Sequence, residues 1–308
     1  MKPRASVWRS IIGVCLLAAA AVVCAALAAN LANGAEDDKR QQRERLLAEM
    51  RSRAKQTQVR FEQGDRQPQF FDSPVFRYDD QPRHFRDATM WVWTEGGRPV
   101  AFQKIEAMEE DPPRWGYCFS SVFDGLLAVR WGDGREYRST ARGAEFHLIP
   151  GESAAAARNT ARKLQARKLV RNFSARILTD DLANTTEEMR LLPTPIYEYS
   201  VPETKSFLGA VFGFATSGTN PDVLILLEPR DAAGGESVWH YAACRMTAGG
   251  VKLKYRDETV WEVEYCRPVP TAFPTWTFFN ALRTSISGAE AGAERAGNGR
   301  LSNARKAD

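Results

Sequence analysis

Two glutamates occupy matching places in a chain that is otherwise thin in catalytic side chains. Glu106 ends the run Val100-Ala-Phe-Gln-Lys-Ile-Glu106, and Glu228 ends Val223-Leu-Ile-Leu-Leu-Glu228. Brought face to face, two carboxylates can divide the roles of general acid and general base, as in glycoside hydrolysis, if they lie within about 10 Å of each other. The plainer role for each is a strand-end side chain bonded to neighbouring backbone or to water. His240 stands between Trp239 and Tyr241. It is a further acid-base candidate, but the sequence identifies no partner for it. Ser120 and Ser121 offer hydroxyls without a matched base. The histidines, His84, His147 and His240, are scattered and show no zinc spacing. No phosphate loop, nucleophile elbow or dinucleotide fingerprint occurs. Neither a metal nor a cofactor is expected.

Binding chemistry has more material. Trp115-x-Tyr117 and Trp239-x-Tyr241 place large rings on one face of two strands, with Trp91 and Trp93 nearby. Such rings make either a platform for sugars or peptides, or part of the core, since aromatic side chains carry much of any core's apolar area. Between Ser153 and Arg176 lies a basic segment with no acid, which includes Arg162, Arg167 and Arg171. As a helix it would grip an acidic polymer or a lipid surface, or else form a solvated face balanced by Asp180, Asp181, Glu187 and Glu188.

The elements that position these residues come in two copies. Pro74-Val-Phe-Arg-Tyr78 is echoed by Pro195-Ile-Tyr-Glu-Tyr199, Trp91-Val-Trp93 by Phe212-Gly-Phe214, and Gly97 by Gly218. Glu106 then matches Glu228, Trp115-Gly-Tyr117 matches Trp239-His-Tyr241, and Asp133 matches Asp257. The spacing between copies lengthens only at Glu95-Gly-Gly-Arg-Pro99 and at Asp111-Pro-Pro, both expected loops, where insertions are tolerated. Each copy opens with a helical pattern: Leu47, Met50, Ala54 and Phe61 within 39–62, and Ala166, Leu169, Val170 and Phe173 within 155–174. Ser153 or the Pro150-Gly151 turn would start the second helix.

Strands follow. Val251, Leu253 and Tyr255 alternate with Lys252, Lys254 and Arg256, and Trp261, Val263 and Tyr265 alternate with Glu262 and Glu264. This is the period of a strand with one wet face. Leu127, Val129 and Trp131 show the same phase, whereas Val223 to Leu227 is apolar throughout, as expected of a strand covered on both sides. The expected fold is α+β: a tandem duplication of one helix plus a five- or six-stranded antiparallel sheet, the sheets packed on each other or on the helices, or else joined in one continuous sheet.

Of 308 residues, the first 35 read as an export signal. Lys2, Arg4 and Arg9 precede the apolar stretch Ile11 to Ala29, then small residues end at Ala35 before Glu36-Asp37-Asp38. The apolar run also approaches the length of a retained membrane anchor. The formal charge of +4 falls to +1 once the three basic residues of the leader are set aside, so no global field steers the chain to nucleic acid. With 44% hydrophobic and 26% charged residues the body is ordinary globular protein. Cys118, Cys244 and Cys266 read as small buried side chains in strands, a Cys244 to Cys266 bridge being the alternative. The expected order is a leader (1–35), unit 1 (36–150), unit 2 (151–267), an aromatic docking segment (268–287) and a disordered tail (288–308).

Pro74-x-x-x-Tyr78, Trp91-x-Trp93, Leu191-Leu-Pro-Thr-Pro195, Asn220 through Glu228 and Trp239-x-Tyr241 together resemble a set of exported planctomycete proteins without an assigned activity. The likeness covers most of residues 40–266 and implies export, but brings no catalytic residue or cofactor. The sequence thus points to a non-catalytic binding or structural module of the cell envelope, with an envelope protein or polysaccharide as partner, no nucleic acid, and membrane contact only through an uncleaved leader. Its alternatives are a paired-glutamate hydrolase and an adaptor for acidic polymers or lipid surfaces.

Overall fold

The computed structural model describes residues 36–64, 66–202, 205–232, 235–267 and 273–283. The expected leader (1–35) and tail (288–308) lie outside the described residues, as do parts of the 268–287 segment. The chain divides into two compact units, 1–48 and 49–308. In the first, residues 36–48 are helical and Leu46 is buried. The second begins with the remaining turns, 49–55, of that helix, α1.

After α1 come β1 (Gln58–Phe61), β2 (Gln69–Phe70), β3 (Phe76–Asp80), β4 (Phe85–Glu95), β5 (Arg98–Met108), β6 (Arg114–Ser121), β7 (Leu127–Arg130), β8 (Glu136–Arg138) and β9 (His147–Leu148). Helix α2 (Asn159–Leu169) then precedes β10 (Phe173–Asp180), β11 (Thr185–Leu191), β12 (Tyr197–Ser200), β13 (Phe207–Ala215) and β14 (Val223–Asp231). Strands β15 (Ser237–Arg245), β16 (Gly250–Tyr255), β17 (Glu258–Val263) and β18 (Trp276–Leu282) complete the chain. The fold is α+β and rich in antiparallel sheet.

Three sheets form among the described residues. The first runs β1-β7-β8, the second β18-β6-β5-β4-β2 with β3 also on β4, and the third β17-β16-β10-β11-β13-β14-β15-β9 with β12 also on β13. Strands β1 to β8 and β10 to β17 therefore neighbour one another in the same order. They differ at one joint, because β10 pairs with β11 whereas β1 and β2 stay in separate sheets. The outermost partners are exchanged: β9 adds to β15, and β18 adds to β6 through seven residue pairs from Trp276↔Ser120 to Leu282↔Arg114. The aromatic segment thus docks by edge pairing. One sheet through both halves, the alternative read from the sequence, does not form.

The two large sheets face each other. Met90, Val92, Phe102 and Cys118 of the six-stranded sheet cluster with Val211, Leu224, Leu226, Ala242 and Cys244 of the nine-stranded one. The alternate residues Phe212, Phe214, Ile225, Leu227 and Trp239 face the other way, onto Ala166 and Leu169 of α2. Val223 to Leu227 are at most 1% exposed, which is what an apolar run without alternation requires. On the outer face of the six-stranded sheet, Met50 and Ala54 of α1 are buried, and the Arg53 guanidinium lies 4.8 Å from the centre of the Trp115 ring. The boundary expected near residue 150 falls within the 49–308 unit, between β9 and α2.

Both helices are shorter than their apolar periodicity implies. Helix α1 ends at 55 and Phe61 lies on β1, paired with Leu127. Helix α2 begins at Asn159 because the chain after β9 keeps following β15, with Ile149 N donating to Trp239 O and Ala155 N to Ser237 O. Phe173 and Arg176 then belong to β10, where backbone pairing to β16 replaces the helical ladder. Alternation in β16 is as read: Val251, Leu253 and Tyr255 are buried between exposed Lys252 and Lys254.

Candidate functional site

Glu106 and Glu228 are both buried, and each accepts a hydrogen bond from a buried tyrosine. Tyr78 Oη donates to Glu106 Oε1 at 2.8 Å, and Tyr199 Oη donates to Glu228 Oε1 at 2.8 Å. The tyrosines end the two echoed Pro-x-x-x-Tyr segments, on β3 and β12, strands that pair beside β4 and β13. Burial and the adjacent carboxylate push both phenols well above the usual tyrosine range. Each carboxylate is bonded to a tyrosine that lies close to it in sequence, Glu106 to Tyr78 and Glu228 to Tyr199.

Around Glu106 the site is closed. Lys104, 3% exposed, lies 3.4 Å from Glu106 Oε1 and donates to the Met246 carbonyl at 2.9 Å, tying β5 to the turn after β15. Gly116 faces Glu106 in register, and a Cβ there would approach Glu106 Oε2 to 3.1 Å, so glycine leaves room for the carboxylate.

Around Glu228 the site is open. Arg230 Nε donates to Glu228 Oε2 at 3.0 Å, and Arg98 Nε lies 3.5 Å from the same oxygen. Both guanidiniums line a groove of about 1020 Å³ with Val100, Phe123, Arg142 and Phe146, and Glu228 is at its floor. The Arg230 guanidinium stacks 3.6 Å above the Phe146 ring, which fixes its plane. At the rim Arg142 pairs with Asp124 and Glu95 with Arg66. A concave surface with a few fixed polar groups is the usual form of a ligand site.

The hairpins of the two halves press on each other reciprocally. A Cβ at Gly97, in the β4–β5 turn, would lie 2.2 Å from the Ser200 carbonyl oxygen. One at Gly218, in the β13–β14 turn, would lie 2.7 Å from that of Asp79. Both glycines have left-handed φ, +83° and +52°. Beside Gly218, Arg83 grips Asp222 with two nitrogens at 2.7 and 3.0 Å, and Asp80 accepts from Ser217 and Asn220. Asp80 and Asp222 have no exposed surface, and these bonds are what a buried carboxylate requires.

The other residues singled out from the sequence have structural surroundings. His240 faces Glu228 in register, but its Nδ1 is 3.2 Å from its own strand's Val238 carbonyl. Trp115, Tyr117, Trp239 and Tyr241 are all buried. Tyr117 stacks on Phe279 and accepts from Arg53, and Tyr241 donates to Val260 O, so these rings pack the core instead of forming a surface platform. The basic segment is partly neutralised: Glu198 of β12 takes both Lys163 and Arg167, Arg162 Nε donates to Ala156 O, and Arg171 is exposed. Arg176 pairs with Glu188, one of the acids expected to balance it. Cys118, Cys244 and Cys266 are free and buried, so the Cys244 to Cys266 bridge does not form. Burial pushes the Cys118 and Cys244 thiols up to about 12.

Reading the glutamates alone overlooked their tyrosines and cations. The signal was present, since Tyr78 and Tyr199 are echoed as strictly as Glu106 and Glu228, and Lys104 interrupts an apolar strand. Arg98 and Arg230 carry no echo and were invisible in that comparison. Among the described residues no cluster of side chains could hold a metal ion, and no helix is long and apolar enough to cross a membrane. No protein-family model, curated protein or solved structure matches the chain.

Proposed function

We propose that this chain is an exported, non-catalytic binding or structural module of the cell envelope, built from a duplicated unit of one helix and an antiparallel sheet. The shared neighbour order of β1 to β8 and β10 to β17, the two Tyr–Glu bonds and the reciprocal hairpin contacts support the duplication. The basic and apolar leader, with the resemblance to exported planctomycete proteins, supports export. One observation carries the binding role: the groove of about 1020 Å³ in which Arg98 from one half meets Glu228 and Arg230 from the other.

Two experiments test the reading. Fractionation and N-terminal sequencing of the native protein are expected to place it outside the cytoplasm with a mature start near residue 36; a cytoplasmic chain beginning at Met1 overturns export. Co-sedimentation with envelope polysaccharide is expected to occur without release of reducing ends. Reducing ends that disappear in Glu228→Gln would replace the module by the hydrolase.

A further inference from the structure

We propose that the floor of the groove is a carboxylate fork for an acidic sugar, made by the terminal nitrogens of Arg98 and Arg230. The inference rests on the binding-module reading and names its ligand class. Both arginines turn Nε toward one buried oxygen, Glu228 Oε2, at 3.5 and 3.0 Å. Glu228 is itself fixed from the other side by Tyr199. With Nε so engaged, the terminal guanidinium nitrogens of both residues have no other hydrogen-bond partner among the described residues, and both side chains line the groove. Arg98 and Arg230 are 49% and 39% exposed, so a ligand can reach them. At the floor two guanidiniums stand against one carboxylate, an excess of one positive charge that an incoming carboxylate cancels, while Arg142 with Asp124 and Arg66 with Glu95 balance each other above it and Glu145 adds one negative charge to the lining. Planar forks of this kind recognise carboxylates in preference to point-charge neighbours.

The rest of the groove selects the carrier of that carboxylate. The strands that border it, β4, β5 and β14, are each paired on both edges, so these strands offer no open edge for an extended peptide to join. The rim presents charged donors and acceptors, Arg142 paired with Asp124 and Glu95 with Arg66, and Glu145 lines the same groove. Ring hydroxyls, which both donate and accept, match such a rim. Phe123 and the part of Phe146 not covered by Arg230 supply apolar surface for the carbon face of a sugar ring. A uronate-type residue within a hydroxyl-rich chain joins both features.

Calorimetric titration of the purified protein with a galacturonate trimer, with its carboxyl-reduced neutral counterpart and with a peptide bearing a free C-terminus tests this. The uronate trimer is expected to bind, and the reduced trimer to bind about tenfold more weakly or worse. Arg98→Gln and Arg230→Gln should each cost about tenfold for the uronate trimer and leave the residual affinity for the reduced trimer unchanged. Arg230→Lys should fail to restore it, since it lacks the fork. Thermal melts of the variants check folding. Equal affinity for the two trimers, or indifference to both substitutions, overturns the fork and leaves the module reading standing. Tighter binding of the peptide assigns the fork to another ligand class and overturns the sugar. No binding of any envelope saccharide removes the module reading together with the fork.

Discussion

The same Tyr–Glu bond is used twice in this molecule, once beside a buried lysine and once beneath two half-exposed arginines. At Glu106 the countercharge is Lys104, buried and committed to a carbonyl of the other half, and glycine at 116 lets the carboxylate fill the remaining space. At Glu228 the countercharges are two arginines on a groove wall, and its cross-strand neighbour is His240 in place of glycine. The tyrosine bond therefore belongs to the scaffold, since it survives both settings. What distinguishes the Glu228 end is the cation side of the pair, and that is where the proposed ligand site lies.

Substitutions at equivalent positions put this contrast at risk. Glu106→Gln strands the Lys104 ammonium in the core and should cost about 3 to 5 kcal/mol in chemical denaturation. Glu228→Gln leaves arginines that water can solvate and should cost about 1 kcal/mol. Equal losses would erase the distinction. Gly97→Ala and Gly218→Ala both force a Cβ onto a backbone oxygen in a left-handed conformation and should each cost about 2 to 3 kcal/mol. Gly97→Ala should be the worse, its contact being 2.2 Å against 2.7 Å. Tyr78→Phe and Tyr199→Phe remove one bond to a charged acceptor, about 1.5 to 3 kcal/mol, with Tyr78→Phe at the upper end because Glu228 retains two guanidiniums.

The last effect is a shared one, and it shows only at alkaline pH. Folding holds the Cys118 and Cys244 thiols protonated up to about pH 12, whereas in the unfolded chain they ionise near 9. Stability from each is full below pH 8 or so and falls by about 1.4 kcal/mol per pH unit above about 9, until the folded pKa is reached. Replacing either cysteine by alanine should flatten the alkaline limb of a stability–pH curve by that slope. An unchanged limb would mean that these thiols are not buried as described.

Much of the scaffold is readable from residue pattern because strands advertise their period. Lys252 and Lys254 between Val251, Leu253 and Tyr255 leave one consistent arrangement, and the unbroken Val223 to Leu227 run allows only a doubly covered strand. The helices were overextended for the opposite reason. Phe61 and Phe173 continue an apolar helical face, yet backbone pairing to β7 and β16 claims them first, a tertiary preference that periodicity does not encode. The echoed residues located Glu228, but comparison between the echoed segments draws attention to what they share. Arg98 and Arg230, present in one half only, are by construction what it overlooks.

The crossing of β9 and β18 has a consequence for how such a chain can be divided. A fragment ending near residue 151 would keep β6 but lose the seven-pair strand that shields its edge, and would carry β9 away from its place beside β15. The two fragments should therefore be sticky apart and recombine when made together.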